Sequence, residues 1–227
     1  MRGRVFLGVL TICAVLLSAG FAAPAMPSYL GPSGLILTPD AQANGVSGLA
    51  FSAHFFDLSG ALASYGVDGE TSVYAATYSP IPALEFGVSA MDSNTSGGAT
   101  LLNGKFVISD ESSLQPFAFV GGVVDMLDQQ EISPFLLVSK SFNLSGPLAS
   151  NQIGLSVNAG YGGGFYSDGF LVGGELKLHP QFSIIAEGTK KYINMGARFS
   201  SSGLALDVGL IDMQDIAGGV SYTWSLF

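Results

Sequence analysis

A two-residue alternation of apolar with small or polar residues recurs from Gly45 to the C-terminus of this 227-residue chain, and no other feature constrains its fold as tightly. Between Glu85 and Asp92 the apolar set is Phe86, Val88 and Ala90, while Glu85, Gly87 and Ser89 take the other parity. In Gln152 to Tyr161, Ile153, Leu155, Val157, Ala159 and Tyr161 alternate with Gly154, Ser156, Asn158 and Gly160. Strand side chains point alternately to two faces, so one face suits lipid and the other a lumen. A helix with period 3.6 could not bury either set on one side.

With turns marked by clusters of Gly, Pro, Asn, Asp and Ser, the alternation predicts about twelve strands. The first six are Gly45 to Phe56, Glu70 to Ser79, Ala83 to Asp92, Gly98 to Ser109, Gln115 to Met126 and Ser133 to Phe142. The second six are Gln152 to Tyr161, Gly169 to His179, Phe182 to Thr189, Tyr192 to Ser200, Gly203 to Ile211 and Ala217 to Leu226. An even number of strands near the 9–11 residues of a tilted span, roughly, suits a bacterial barrel with both ends in the periplasm. The expected fold is all-β, an antiparallel transmembrane β-barrel over 45–227. Further pairing within Asp57 to Glu70 or Asn143 to Asn151 would change the strand number.

Met1 to Ala25 has a basic start at Arg2 and Arg4, an apolar stretch from Val5 to Leu17 and small residues from Ser18 onward. That layout is a secretory signal peptide, with cleavage expected after Ala22 or Ala25. The apolar run is short of the roughly 20 residues of a spanning helix, which argues against a retained anchor. The single cysteine, Cys13, leaves with the signal, so no disulfide or cysteine metal ligand is expected. Residues 26–44 form a periplasmic segment or enter the barrel as a plug.

Composition agrees with a barrel facing lipid. The chain is 48% hydrophobic and 11% charged with 31 glycines, against about a quarter charged in ordinary soluble domains. Its net charge of −9 becomes −11 once Arg2 and Arg4 are removed, leaving Lys105, Lys140, Lys177, Lys190, Lys191 and Arg198 as the basic residues. Nucleic acid is an unsuitable partner for want of a basic patch.

The acids give the barrel a direction. With both termini periplasmic, the outer loops hold Asp57, Asp68, Asp92, Asp125, Asp128, Glu131, Asp168, Asp212 and Asp215, whereas the periplasmic turns hold only Asp110 and Glu111. An acidic rim solvates its loops. The sharper expectation is that it shares divalent cations with lipopolysaccharide phosphates.

Charges within strands give a second check, since Lys or Arg facing lipid at the midplane costs about 2–4 kcal/mol. Glu85, Lys105, Glu175, Lys177, Glu187, Arg198 and Asp207 all take the parity opposite the more apolar one, so a lumen charge network is expected. Lys140 is ambiguous, because both parities around it are partly apolar. Glu187, Arg198 and Asp207 fall on three consecutive strands and should form a cross-strand ladder, because buried charges need partners. On the last strand, Gly219, Tyr222 and Trp224 fit a glycine followed by alternating aromatics, similar to the C-terminal signal read by the barrel assembly machinery. The same aromatics also suit a girdle at the membrane interface. Ala217 at the usual polar position and Ser225 to Phe227 beyond the aromatics depart from that signal.

The stretch Tyr78-Ser79-Pro80-Ile81-Pro82-Ala83-Leu84-Glu85 resembles the strand, turn and strand of YjbH-type outer-membrane proteins associated with exopolysaccharide and capsule production. In the same order follow Gly34-Leu35-Ile36 with Thr38-Pro39, Lys105-Phe106 with Glu111-Ser112 and Pro116, Gly122 with Asp125, Ser139-Lys140, and Ala186-Glu187 leading to Asn194-Met195-Gly196. The resemblance covers Tyr29 to Trp224. It implies a bacterial outer-membrane location, reached after export to the periplasm, and a role as accessory or conduit in polysaccharide secretion. Proteins of that type are longer and carry further domains, whereas this chain has room for one barrel. Implied partners are outer-membrane lipid and lipopolysaccharide, the assembly machinery and polysaccharide secretion proteins.

No catalytic, cofactor or metal set stands out, and no enzyme activity or cofactor is expected. A lipid-modifying enzyme would need a nucleophile, base and orienting group within hydrogen-bond reach. The one candidate is His54 with Ser52 on the same strand face, about 7 Å along the strand; His179 before Pro180 reads as a turn residue. Gly160 and Gly162 to Gly164 lack the Lys-Ser/Thr of a phosphate loop. Two roles survive: a conduit or accessory in secretion, or a structural or adhesive barrel with acidic outer loops. Side chains nearly fill a barrel this small, but its many inward glycines and serines leave room for a narrow aqueous path.

Overall fold

The computed structural model describes residues 28–225 except residues 31, 41–46, 59–68, 96, 113, 128–130, 145–152 and 167. The expected signal peptide lies outside these, as do most of the two segments where extra pairing was conceivable.

Alternation becomes twelve strands: β1 Gly48–Leu58, β2 Gly69–Ile81, β3 Leu84–Ser93, β4 Gly97–Ser109, β5 Ala118–Met126, β6 Glu131–Asn143, β7 Gly154–Gly162, β8 Gly169–His179, β9 Phe182–Gly188, β10 Ile193–Ser201, β11 Leu204–Ile211 and β12 Asp215–Ser225. Each pairs antiparallel with its sequence neighbours, and β1 pairs with β12 from Gly48↔Ser225 to Phe56↔Ala217. Closure matters in lipid, where an open edge would leave backbone N–H and C=O groups without water.

Both chain ends of the barrel lie at one rim, here the near rim, with the β1–β2, β3–β4, β5–β6, β7–β8, β9–β10 and β11–β12 connections at the far rim. Three near-rim hairpins, β2–β3, β8–β9 and β10–β11, are joined by two residues each. Ser202 and Gly203, both at positive φ (52° and 85°), join Ser201 to its partner Leu204, the two-residue turn whose twist matches the strands. The register shifts at Tyr78/Ile81, Val107/Ser109 and Lys177/His179 also lie at this rim, where bulges commonly bend strands.

The outward parity is exposed and apolar, including Phe51, Phe55, Tyr74, Phe86, Phe106 and Val208. A continuous apolar band of this kind suits the lipid-facing side of a membrane barrel. Inward, Val73, Met91, Leu101, Val124, Met126, Leu137, Leu171 and Ile211 form a buried apolar cluster. A 3-10 turn, Gly164–Tyr166, folds into the far mouth and buries Phe165 and Tyr166. Tyr166 packs edge-on against Phe135 at 5.8 Å. Its ring occupies the space that a side chain at Gly162 would need.

Candidate functional site: a strap across the lumen

Residues 28–30 and 32–40 form a compact strap inside the barrel. Its sequence explains its shape. Leu35 to Thr38 make a turn closed by Leu35 N–H donating to Thr38 O at 2.9 Å, beside a bridge between Gly34 and Pro39. A side chain on Gly34 would strike the Thr38 carbonyl, so glycine is needed for this close approach. Tyr29 N–H donates back to Ile36 O at 2.8 Å. Tyr29, Leu30, Leu35, Ile36 and Leu37 are all buried.

One wall holds the turn by its backbone. Glu187 on β9 accepts from Ile36 N–H (3.1 Å), Leu37 N–H (2.7 Å), Thr38 N–H (3.1 Å) and the Thr38 hydroxyl (2.7 Å). Asn194, its register partner on β10, adds a fifth bond at 2.7 Å. Successive amides converging on one carboxylate make an anion-binding concavity. Arg198 on β10 supplies the opposite polarity: Nη1 donates to Gly34 O at 3.2 Å and Nη2 to Leu35 O at 3.0 Å. Its Nε pairs with Asp207 of β11 at 2.7 Å, directly across the ladder.

The facing wall holds the flanks. Glu85 on β3 accepts from Ser33 N–H at 2.7 Å, and the Ser89 hydroxyl donates to Leu30 O at 3.2 Å. Lys105 on β4 donates to Ser33 O at 2.9 Å and to the Ser33 hydroxyl, and pairs with Asp40 at 3.2 Å. Because β3–β4 and β9–β11 lie on different sides of the closed barrel, the strap crosses the lumen. Charge-assisted bonds of this kind contribute about 1.5–3 kcal/mol each, so the grip is strong.

Apolar contacts complete the seat. Leu35 fills the space over Gly173, and Ile36 lies over Gly196 and Gly209, 3.0 and 3.4 Å from where their side chains would begin. Three of the inward glycines, Gly173, Gly196 and Gly209, thus accommodate Leu35 and Ile36, and the volume they release is occupied by the strap. Tyr29 stacks on Phe56 (5.8 Å, 4°) and tilts over His54 at 4.3 Å.

The expected charge residues therefore divide. Glu85, Lys105, Glu187 and Arg198 meet at the strap, and Asp207 anchors Arg198. The ladder is interrupted, because Glu187 stands opposite Asn194 and turns to the strap amides, while Arg198 and Asp207 pair across β10 and β11. Glu175 and Lys177 line a separate cleft of about 140 Å³ at the near rim with Ser141, Phe142 and Ser156; Glu175 is half-buried and Lys177 exposed. Lys140 takes the outward parity of β6 and pairs at 2.5 Å with Glu111 in the β4–β5 connection. That bond and the Ser141 N–H hold the Glu111 carboxyl below the usual carboxylate range. Sequence reading missed Asp40, Ser33, Ser89 and Asn194. The signal for Asp40 was an acid close to Thr38-Pro39 with no neighbouring base.

His54 does not form a catalytic set. It is fully buried, neither ring nitrogen nor the Ser52 hydroxyl has a hydrogen-bond partner among the described residues, and its ring lies under Tyr29. Its register partner is Gly219, where a side chain would overlap the imidazole. Gly219 is thus a packing glycine of the lumen face, while Tyr222 and Trp224 are exposed on the outward face. His179 accepts from Gln181 N–H at 3.2 Å within its turn. Among the described residues no three His, Cys, Asp or Glu side chains come together as a metal site.

No family model matches the chain, and no curated protein matches it. Solved structures do. The KdgM porin aligns with a TM-score of 0.51 at 11% identity, covering 78% of this chain and 99% of its own. KdgM in complex with disordered oligogalacturonate gives 0.49 at 9% identity, covering 79% and 99%. Omp33 of Acinetobacter baumannii gives 0.48 at 9%, covering 80% and 99%. At these identities the likeness is one of fold: the chain is a closed twelve-strand β-barrel with the architecture of an outer-membrane porin.

Proposed function

We propose that this protein is a bacterial outer-membrane barrel whose lumen is closed at rest by its own N-terminal strap, and that it serves as a conduit or accessory in exopolysaccharide or capsule secretion. The observation that carries the closed state is the grip of Glu187 and Arg198 on one turn, opposed across the lumen by Glu85 and Lys105. The outward apolar band supports the membrane location, and the resemblance to YjbH-type proteins supports the polysaccharide role. Gating fits the chemistry of the grip. Hydrogen bonds to a strap can be exchanged for bonds to water or to a hydroxyl-rich solute, whereas covalent or purely apolar closure could not respond in that way.

A structural or adhesive envelope role is the second reading. It is favoured by the buried apolar cluster from Val73 to Ile211, which packs with Tyr29, Leu30, Leu35, Ile36 and Leu37 of the strap as one continuous core and so suits a lumen filled for good.

Two measurements test the proposal. Outer-membrane fractionation followed by a heat-modifiability gel should show the protein in that membrane, with folded and unfolded mobilities; absence from the outer membrane contradicts the location. In planar bilayers the native protein should be mostly closed, and Glu187→Gln should open more often. Silence of both proteins favours the structural role.

A further inference from the structure

A furrow on the outward face, away from the strap, has a shape and charge of its own. Its volume is about 580 Å³, and it is lined by Tyr161, Phe170, Val172, Gly188, Lys190 and Ile193 among others. Gly188 pairs with Val172 on one side and Ile193 on the other, so it forms the floor between two apolar walls. Phe170, 79% exposed, stands edge-on to Tyr161 at 6.1 Å and extends the wall toward the far rim. Crowding does not require glycine at 188: a side chain there would begin 3.7 Å or more from its neighbours. What it would do is fill the furrow. Gly188 is the last residue of β9, so the opening it leaves lies at the far rim, directly beside the hairpin.

The polar end of the furrow is equally distinctive. Lys190 and Lys191 sit in the Thr189–Tyr192 hairpin, which is fixed by Thr189 N–H donating to Tyr192 O at 2.9 Å and Lys191 N–H to the Thr189 hydroxyl at 3.1 Å. Of the six basic residues beyond Arg4, only these two lie at the far rim. The rest of that rim carries Asp57, Asp92, Asp168, Asp212 and Asp215. Asp168, which also lines the furrow, accepts from Gly164 N–H at 3.0 Å and so is engaged by its own loop. An anionic headgroup is repelled around most of the rim and attracted at this hairpin.

We propose that the furrow seats a phosphorylated, acylated glycolipid of the outer leaflet, with an acyl chain over Gly188 between Val172 and Ile193 and a phosphate on Lys190 and Lys191. An apolar trough ending in a basic pair at the membrane surface matches an amphiphile with an anionic head, because basic residues at that depth attract lipid phosphates. The inference rests on the outer-membrane reading with the far rim outward.

The test is native mass spectrometry of the full barrel in nonionic detergent with chelator present, so that cation bridging through the rim acids does not contribute. The probes are bis-phosphorylated lipid A, the same lipid without phosphates, and phosphatidylcholine. Retention of lipid A should exceed that of the dephosphorylated lipid by about tenfold, and Lys190→Ala with Lys191→Ala should abolish the difference. Gly188→Leu should reduce retention of both glycolipids. Heat-modifiability confirms folding of each variant, and Gly188→Ala is the milder substitute if Gly188→Leu misfolds. Equal retention of all three lipids, or unchanged lipid A retention in the lysine variant, overturns the site. A folded protein that fractionates with outer membranes but shows such equality separates failure of the site from failure of the location.

Discussion

Glu187 and Arg198, on adjacent strands β9 and β10, hold one peptide turn by its two polarities: the carboxylate takes the amides of residues 36–38 and the guanidinium takes the carbonyls of residues 34 and 35. The pair reads backbone, so its hold depends on the turn's geometry more than on its side chains. Glu187→Gln replaces an all-acceptor group with one that presents an NH₂ to the strap amides. The expected loss is about 1.5–3 kcal/mol of strap docking, seen as faster hydrogen exchange at residues 36–38 while exchange in β9 stays unchanged.

Arg198 and Asp207 form a pair buried on both sides, with side-chain exposures of 8% and 6%. Arg198→Met leaves Asp207 without its cation and should destabilise the barrel by about 3–5 kcal/mol. The double variant Arg198→Met with Asp207→Leu should recover much of that loss in global stability while leaving the strap loose, because the carbonyls of Gly34 and Leu35 still lack their donor. Urea unfolding from lipid vesicles measures the first effect and strap hydrogen exchange the second.

Gly219 faces the His54 imidazole. Gly219→Ala should cost about 1–3 kcal/mol by overpacking, and His54→Ala in the same chain should relieve it. If the role of Gly219 is in assembly alone, Gly219→Ala will slow folding in cells and His54→Ala will not rescue it. Heat-modifiability of the single and double variants separates the two.

At the near rim, Glu111 is held below its ordinary range by Lys140 and the Ser141 N–H. A carboxyl whose folded value is depressed adds stability above its unfolded value, about 4.3, and loses it as pH falls through the folded value. Exchange at the Ser141 amide should therefore rise, relative to its intrinsic rate, as pH drops below that unfolded value. Glu111→Gln should remove that pH dependence.

Much of the barrel was legible because alternation is local. Gly169–His179 was bounded to the residue, whereas the first strand starts at Gly48, three residues later than expected. The same parity set Glu85, Lys105, Glu187 and Arg198 opposite the apolar face, and all four are buried in the structure, yet parity could not name their partners. Glu187 bonds to residues about 150 positions away in sequence, through backbone groups that leave no trace in side-chain pattern. The inward glycines misled for a related reason: Gly173, Gly196 and Gly209 mark released volume, and only the fold brings Leu35 and Ile36 there to fill it.

The most direct test of the closed lumen is single-channel conductance of a chain lacking residues 28–40, compared with the full protein in the same bilayer and with folding checked by heat-modifiability. Removing the strap takes away Tyr29, Leu35 and Ile36 and uncovers Glu85, Lys105, Glu187 and Arg198 along the bore, so larger and longer openings are expected. Identical conductance in the two proteins would contradict the strap as the element that closes this barrel.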